Sequence, residues 1–335
     1  MKRTPVRVLV GVSALAWLAA GPGGCGVMGG AREEVRGDAV ISRGQSHVRE
    51  AERALREGDK ARALAEFARA IEVNPELTSA HLGMADIYRV DGDYAQAEVG
   101  YRRAATIEPR NFDAQYFHGL MLHLLDRVTE AIQAYLRALA VRPNDFNVNL
   151  NLATAYYQLD ENRQALIYGR RAVEIDPRNG PARFNLGSIY AAMGRHQEAV
   201  AEFQQATEHM ELTPELLSKL GDSLGKLGRY TEMRNALQEA VGRGASPAVY
   251  ERLGFARFKL GEYDESLAAF EKSLELDPDY APALNGVGVI HLNRWLLADM
   301  KDPQARQKGL AALRRSLQID RNQPQILELL TKYGR

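Results

Sequence analysis

The chain has 335 residues, with 43 basic and 43 acidic side chains and a single cysteine. Zero net charge removes the long-range attraction that nucleic-acid binding relies on, and one cysteine excludes an intrachain disulfide framework or a thiolate zinc cluster. No apolar run reaches the roughly 20 residues of a membrane-spanning helix.

The N-terminus reads as an export signal. Lys2, Arg3 and Arg7 precede an apolar run from Val8 to Ala20, which Gly21-Pro22-Gly23-Gly24 breaks immediately before Cys25. A basic start, a short apolar stretch and small residues describe a secretory signal. The position of Cys25 resembles that of the lipidated cysteine of bacterial lipoproteins. That resemblance implies a signal peptide over 1–24, cleavage before Cys25, and diacylglycerol plus a further acyl chain such as palmitate on that residue. More than one chain makes anchoring stable, at about 0.8 kcal/mol per buried methylene. Pro22-Gly23-Gly24 departs from the Leu-Ala-Gly type of triplet that lipoproteins prefer. Cleavage after Ala20 with a free Cys25, and an uncleaved anchor, are the alternatives. Residues 25–44, with glycines at 26, 29, 30, 37 and 44, are expected to form a flexible, lipidated tether.

Beyond the tether one unit recurs. Prolines fall at 75, 109, 143 and 177, a spacing of 34. The same spacing relates Ala63, Ala97, Ala131, Ala165 and Ala199, and again Ala70, Ala104, Ala138, Ala172 and Ala206. Aromatic residues Phe67, Tyr101, Tyr135 and Phe203 lie between the two alanine series. Apolar residues recur at three and four within each period, so each unit holds two amphipathic helices. Small residues such as Gly187 and Ala199 allow close helix approach, and the proline ends the second helix.

This pattern resembles the tetratricopeptide repeat (TPR) family, whose units read W-x2-L-G-x2-Y, then A-x3-F, then P, over 34 residues. The resemblance implies an all-α fold: a right-handed TPR solenoid over 45–335, with about eight helix–turn–helix repeats and a C-terminal capping helix. The repeats fall at about 44–77, 78–111, 112–145, 146–179, 180–213, 214–246, 247–280 and 281–323, with the cap at 324–335. The eighth carries about nine extra residues around Asp299 to Gln307. Gly169 stands where the fourth repeat should have an aromatic residue. Either the array has drifted there or the seam is soft.

No residues point to catalysis. The chain has no phosphate-binding loop, nucleophile elbow or H-E-x-x-H motif. His118 and His123 are five residues apart, roughly 140° around a helix, which is poor metal geometry. No cofactor, metal or catalytic residue is expected, and the protein reads as a non-enzyme.

A surface remains. In the resembled family the first helix of each unit lines the inner wall, at unit positions 2, 5, 6, 9, 12 and 13. Those positions in repeats three to five contribute Tyr116, Phe117, Leu120, Asn147, Asn151, Thr154, Tyr157, Phe184, Asn185 and Ser188. Asn147 and Asn151 lie one turn apart on a helix face, and Asn185 is the equivalent of Asn151 one repeat later. Amides both donate and accept, so a ladder of them can hold an extended peptide backbone while the aromatics supply apolar area. The alternative is that the aromatics bridge repeats and the amides are solvated. Lys219, Lys226, Arg252 and Lys259 form a basic group in repeats six and seven, interrupted by Asp222 and Glu251. It reads as a solvated face.

These features lead us to expect a protein-binding scaffold or assembly factor of the bacterial cell envelope. It would be anchored through its N-terminal lipid, facing the periplasm, with the outer membrane favoured over the inner, and would bind an envelope protein or peptide segment but no nucleic acid. An accessory subunit of an envelope polysaccharide or peptidoglycan enzyme system is the alternative.

Overall fold

Repeat starts and turns are built from short polar side chains at fixed spacing. Asn111, Asp145, Asn179 and Thr213, each 34 residues after the last, accept a hydrogen bond from the backbone N–H three residues on and so cap the helices that begin at Phe112, Phe146, Gly180 and Pro214. Between the helices of a repeat the chain passes through the left-handed region, at Gly92 (φ 78°) and Gly194 (φ 72°) but also at Asp126 (60°) and Asp160 (57°). Aspartate tolerates this conformation better than most side chains.

The computed structural model describes residues 28–244 and 246–334. Its secondary structure among these residues is seventeen helices, which form eight hairpins and a final single helix. The first and second helices of the repeats are α1(Met28–Arg56)/α2(Lys60–Val73), α3(Thr78–Val90)/α4(Tyr94–Ile107), α5(Phe112–Leu124)/α6(Val128–Val141), α7(Phe146–Gln158)/α8(Asn162–Ile175), α9(Gly180–Ala192)/α10(His196–His209), α11(Pro214–Lys226)/α12(Tyr230–Val241), α13(Pro247–Lys259)/α14(Tyr263–Leu276) and α15(Ala281–Leu297)/α16(Pro303–Ile319). The cap is α17(Pro324–Tyr333).

The chain divides after Ala80 into two compact units. In the first, α1 and α2 close on Ala51, Ala54, Ala63, Phe67 and Ala70, all at most 1% exposed. His47 and Glu66 join the hairpin at 2.6 Å, and this hydrogen bond holds the Glu66 carboxyl below its ordinary pKa. The expected signal (1–24) and Cys25 lie outside the described residues. The expected tether does so only in part, because α1 is helical from Met28 and occupies 28–44. Arg32, Glu33, Glu34 and Arg36 are good helix formers and extend the first repeat helix backwards.

In the second unit the hairpins of repeats three, five and seven each interlock a ring with a glycine. A Cβ on Gly119, Gly187 or Gly254 would lie 2.7, 2.7 or 2.8 Å from the ring of Tyr135, Phe203 or Phe270. Tyr135 and Phe203 are wholly buried between alanines that are also wholly buried. Repeats seven and eight put serine at alanine positions. There Ser266 donates to the Gly254 carbonyl (2.6 Å) and Ser273 to that of Pro247 (2.8 Å), which satisfies the buried hydroxyls.

At Gly169 the missing ring is replaced from outside the repeat. A Cβ there would meet Ile189 Cδ1 at 3.2 Å, Leu186 Cδ1 at 3.5 Å and Ala153 Cβ at 3.7 Å. The next repeat has therefore filled the seam. Only the flexible end of Ile189 opposes a methyl group, and glycine costs roughly 1 kcal/mol against alanine inside a helix. Gly169→Ala is expected to stabilise the array by up to about 1 kcal/mol, read as a higher urea midpoint. A lower midpoint would show that the gap itself is needed.

The extra residues of the eighth repeat do not form a separate loop. They lengthen both helices to 17 residues, against 12–14 in the helices from α2 to α14. The turn between them places Asp299 and Met300 at positive φ (50° and 62°). Trp295 Nε1 donates to the Met300 carbonyl at 2.9 Å, so this tip is tied down. Leu297 and Met300 remain 69% and 62% exposed there.

His118 on α5 is buried against Glu98 of α4 at 3.1 Å. Arg127 and Arg102 stand 3.6 and 3.7 Å from the same carboxylate oxygen. Burial pushes the His118 pKa below the ordinary imidazole value, against the hydrogen bond that Glu98 accepts, and burial shifts His291 the same way. The unfolded chain takes up these protons near pH 6.5 and the folded chain only at lower pH. Between the two values the unfolded state binds more protons, so stability falls as pH drops below about 6.5. Urea midpoints are expected to be lower at pH 5.5 than at pH 7.5, with a smaller difference in His118→Gln/His291→Gln. An unchanged pH dependence in that double variant would remove these two histidines as its source.

Candidate functional site

The first helices of successive repeats touch one another, α7 with α9, α9 with α11, α11 with α13 and α13 with α15. They make the inner wall, and the predicted site residues lie on it in α5, α7 and α9.

The aromatic residues interlock across repeats. Phe117 stacks on the wholly buried Tyr101 of α4 (centroids 5.4 Å apart), and the Arg89 guanidinium lies 4.9 Å from its centroid. Tyr116 packs edge-on to Phe117 (5.0 Å), and its ring stacks with Phe112 (5.9 Å). Burial raises the pKa of its phenol. Leu120 packs against the cluster of Ala85, Ala97, Tyr101 and Met121. Phe184 leans on Phe203 at 5.8 Å, and Tyr157 packs beside Ala153, Ala165 and Ile189. All five inner-wall side chains are half-buried, with part of each open on the wall.

The amides hand over from repeat to repeat. Asn151 Nδ2 approaches the Tyr116 hydroxyl of the preceding repeat at 3.5 Å, which is long for a hydrogen bond. Asn185 Nδ2 donates to Thr154 Oγ1 at 2.7 Å, and that hydroxyl donates to the Leu150 carbonyl at 3.0 Å. His123 and Gln158 make a further bridge at 2.7 Å between α5 and α7. Asn147 is exposed. Ser188, in contrast, is 5% exposed, and its hydroxyl has no partner among the described residues. The structure therefore brings Tyr116 to Asn151 and Thr154 to Asn185, leaves Asn147 outside and encloses Ser188. Asn185 Oδ1 is likewise buried without a hydrogen-bond partner.

Inner positions 2, 5, 6, 9, 12 and 13 of repeats six and seven form a second stretch of wall. They include Ser218, Lys219, Asp222 and Lys226, then Glu251, Arg252, Phe255, Phe258 and Lys259. These residues line three adjoining open cavities of about 400, 580 and 380 Å3. The charged members of this set read in the sequence as a solvated face because Asp222 and Glu251 interrupt the basic residues; the same register adds Ser218, Phe255 and Phe258. Among the described residues no group of three or more His, Cys, Asp or Glu side chains could hold a metal ion, and no helix is long and apolar enough to cross a membrane.

Comparison with known proteins agrees with this architecture. Family models described as TPR repeat or tetratricopeptide repeat match residues 48–108, 119–160, 146–179, 168–201 and 247–280. A curated relative, Protein CTR9 homolog of Arabidopsis thaliana, is 33% identical over 86 residues, which are 26% of this chain and 7% of that protein. Among solved structures, YrrB, described as a TPR protein with an unusual peptide-binding site, is 23% identical with a TM-score of 0.51, covering 60% of this chain and 99% of its own. A tetratricopeptide repeat protein of Parabacteroides merdae is 18% identical with a TM-score of 0.52, covering 77% of this chain and 99% of its own. A chain of the APC/C hetero-tetramer Cut9-Hcn1 is 17% identical with a TM-score of 0.53, covering 84% of this chain and 55% of its own. At these identities the structural likenesses speak for the fold alone. With its 34-residue period, its interlocked helix pairs and repeat matches along its length, the chain is a tetratricopeptide repeat protein.

Proposed function

We propose that the chain is a non-enzymatic scaffold of the bacterial cell envelope, tethered through Cys25, that binds an extended segment of another envelope protein along the inner wall of repeats three to five. One observation carries this reading. Three successive first helices present half-buried groups along one wall, aromatic Tyr116 and Phe117 on α5, Asn151, Thr154 and Tyr157 on α7, and Phe184 and Asn185 on α9, and neighbouring repeats hold Asn185 and Thr154 in place at 2.7 Å. Side chains fixed before the ligand arrives lose less freedom on binding. The envelope location rests on the N-terminal signal and the position of Cys25.

Crosslinking pull-down of the intact chain from membranes should capture an envelope protein, which is then titrated against purified variants. Asn151→Ala combined with Asn185→Ala is expected to weaken binding by about tenfold or more, since a peptide group left unpaired costs about 1–3 kcal/mol. Loss of the Asn185–Thr154 bond also costs about 1 kcal/mol of stability, so circular dichroism must confirm a folded variant. Unchanged affinity would place the site away from this wall.

A further inference from the structure

The three cavities of repeats six to eight are one trough. Asp222 and Arg252 line both the first and the second, and Glu251 and Phe255 line both the second and the third. The trough follows the inner faces of α11, α13 and α15 and ends against α17, which contributes Gln325, Ile326 and Leu329.

Its available charge is more positive than its composition suggests. Asp222 is held by Arg252 at 2.6 Å, and Arg252 also donates to Ser218 Oγ at 3.2 Å. Glu251 makes no salt bridge among the described residues, and burial, opposed by the nearby Arg252 and reinforced by Asp222, raises the pKa of its carboxyl. Glu215 lies at the opposite end, in the first turn of α11. Lys219, Lys226 and Lys259 make no salt bridge among the described residues. Lys226 and Lys259 occupy equivalent last-turn positions of α11 and α13, and so stand side by side along one edge.

Next to this cationic edge the trough is apolar. Phe255 is 38% exposed, and the Lys259 ammonium lies 5.4 Å from its ring centroid. Phe258, Val289 and Leu329 continue the surface into the cavity of about 380 Å3. That volume falls within the range of pockets that accept a bulky apolar group.

We propose that this trough binds an extended peptide segment that carries acidic side chains and one large apolar side chain. The acids lie along Lys219, Lys226 and Lys259, and the apolar side chain enters the cavity between α13, α15 and α17. Neighbouring helices are about 10 Å apart and an extended chain rises about 3.3 Å per residue. The acidic residues therefore fall within about six positions of the apolar one. The surface is separate from the wall of repeats three to five, and the proposal does not rest on the role of that wall.

The test is selection of random 12-residue displayed peptides on the immobilised full-length chain, followed by titration of the enriched peptide carrying a fluorescent label. Enrichment should favour Asp or Glu within about six residues of Phe, Trp or Leu. Lys226→Glu combined with Lys259→Glu, and separately Phe255→Ala, should each weaken the labelled peptide at least about tenfold. These side chains are exposed, so the variants should fold. Raising the salt should weaken binding to the parent chain, whereas Asn151→Ala/Asn185→Ala should leave it unchanged. Enrichment of basic or uncharged sequences, no enrichment at all, or equal binding by the charge-reversed variant would overturn the proposal.

Discussion

Phe203→Ala is expected to destabilise the fifth repeat by about 3–5 kcal/mol, the usual cost of deleting a buried ring. The ring is wholly buried, wedged between Gly187 on its own hairpin and Phe184 at 5.8 Å. Its removal opens a cavity that neighbouring alanines are too small to fill. A stacked array has nearly nearest-neighbour energetics, so the loss should be local. Amide hydrogen exchange in α9 and α10 should accelerate by about two to three and a half orders of magnitude, since about 1.4 kcal/mol is tenfold, while α15 and α16 keep their protection. Uniform acceleration across all repeats would contradict the nearest-neighbour picture. A loss below about 1 kcal/mol would contradict the role assigned to the ring.

The reciprocal change, Gly187→Ala, should cost about 1–3 kcal/mol through overpacking. The new methyl carbon would sit 2.7 Å from Phe203 Cε1 and 2.8 Å from Cδ1. A wholly buried ring cannot turn away from it. The informative measurement is the double-mutant cycle, because in a Phe203→Ala background the methyl group occupies vacated space. The combined loss should then be smaller than the sum of the single losses by about 0.5–3 kcal/mol. Strict additivity would mean that the two positions do not press on each other. The same geometry links Gly119 to Tyr135 and Gly254 to Phe270, so the result bears on repeats three and seven as well.

That Gly187 marks a close helix approach, and that Phe203 belongs to a repeating aromatic series, was legible in the sequence, and so was the all-helical architecture. Contacts that break the register were not. Nothing in the sequence near Gly169 indicates that Ile189, twenty residues later, reaches back into the vacant position. The bond between His118 and Glu98 joins different repeats through residues with no counterpart in the repeat pattern. The helix over 28–44 was hidden by glycines at 29, 30, 37 and 44, which suggested a linker although the residues between them favour helix. The candidate site was legible only as a set of positions, since the inner-wall register placed Tyr116, Asn151, Thr154 and Asn185 on successive first helices. It could not reveal the contacts within that set. Asn185 is bonded to Thr154 and Ser188 is enclosed because side-chain reach and local packing, rather than helical phase, decide those outcomes.

The lengthened eighth hairpin also has a chemical consequence. Its tip presents the thioether of Met300 to solvent at 62% exposure, whereas Met121 and Met233 are 0% and 3% exposed in the core. Peroxide converts an accessible methionine to its sulfoxide, replacing an apolar side chain with a polar, chiral one. Oxidation at Met300 would make the tip hydrophilic without disturbing the core around Met121 and Met233, and methionine sulfoxide reductases would restore it. Met300 is therefore expected to oxidise before Met121 or Met233 does.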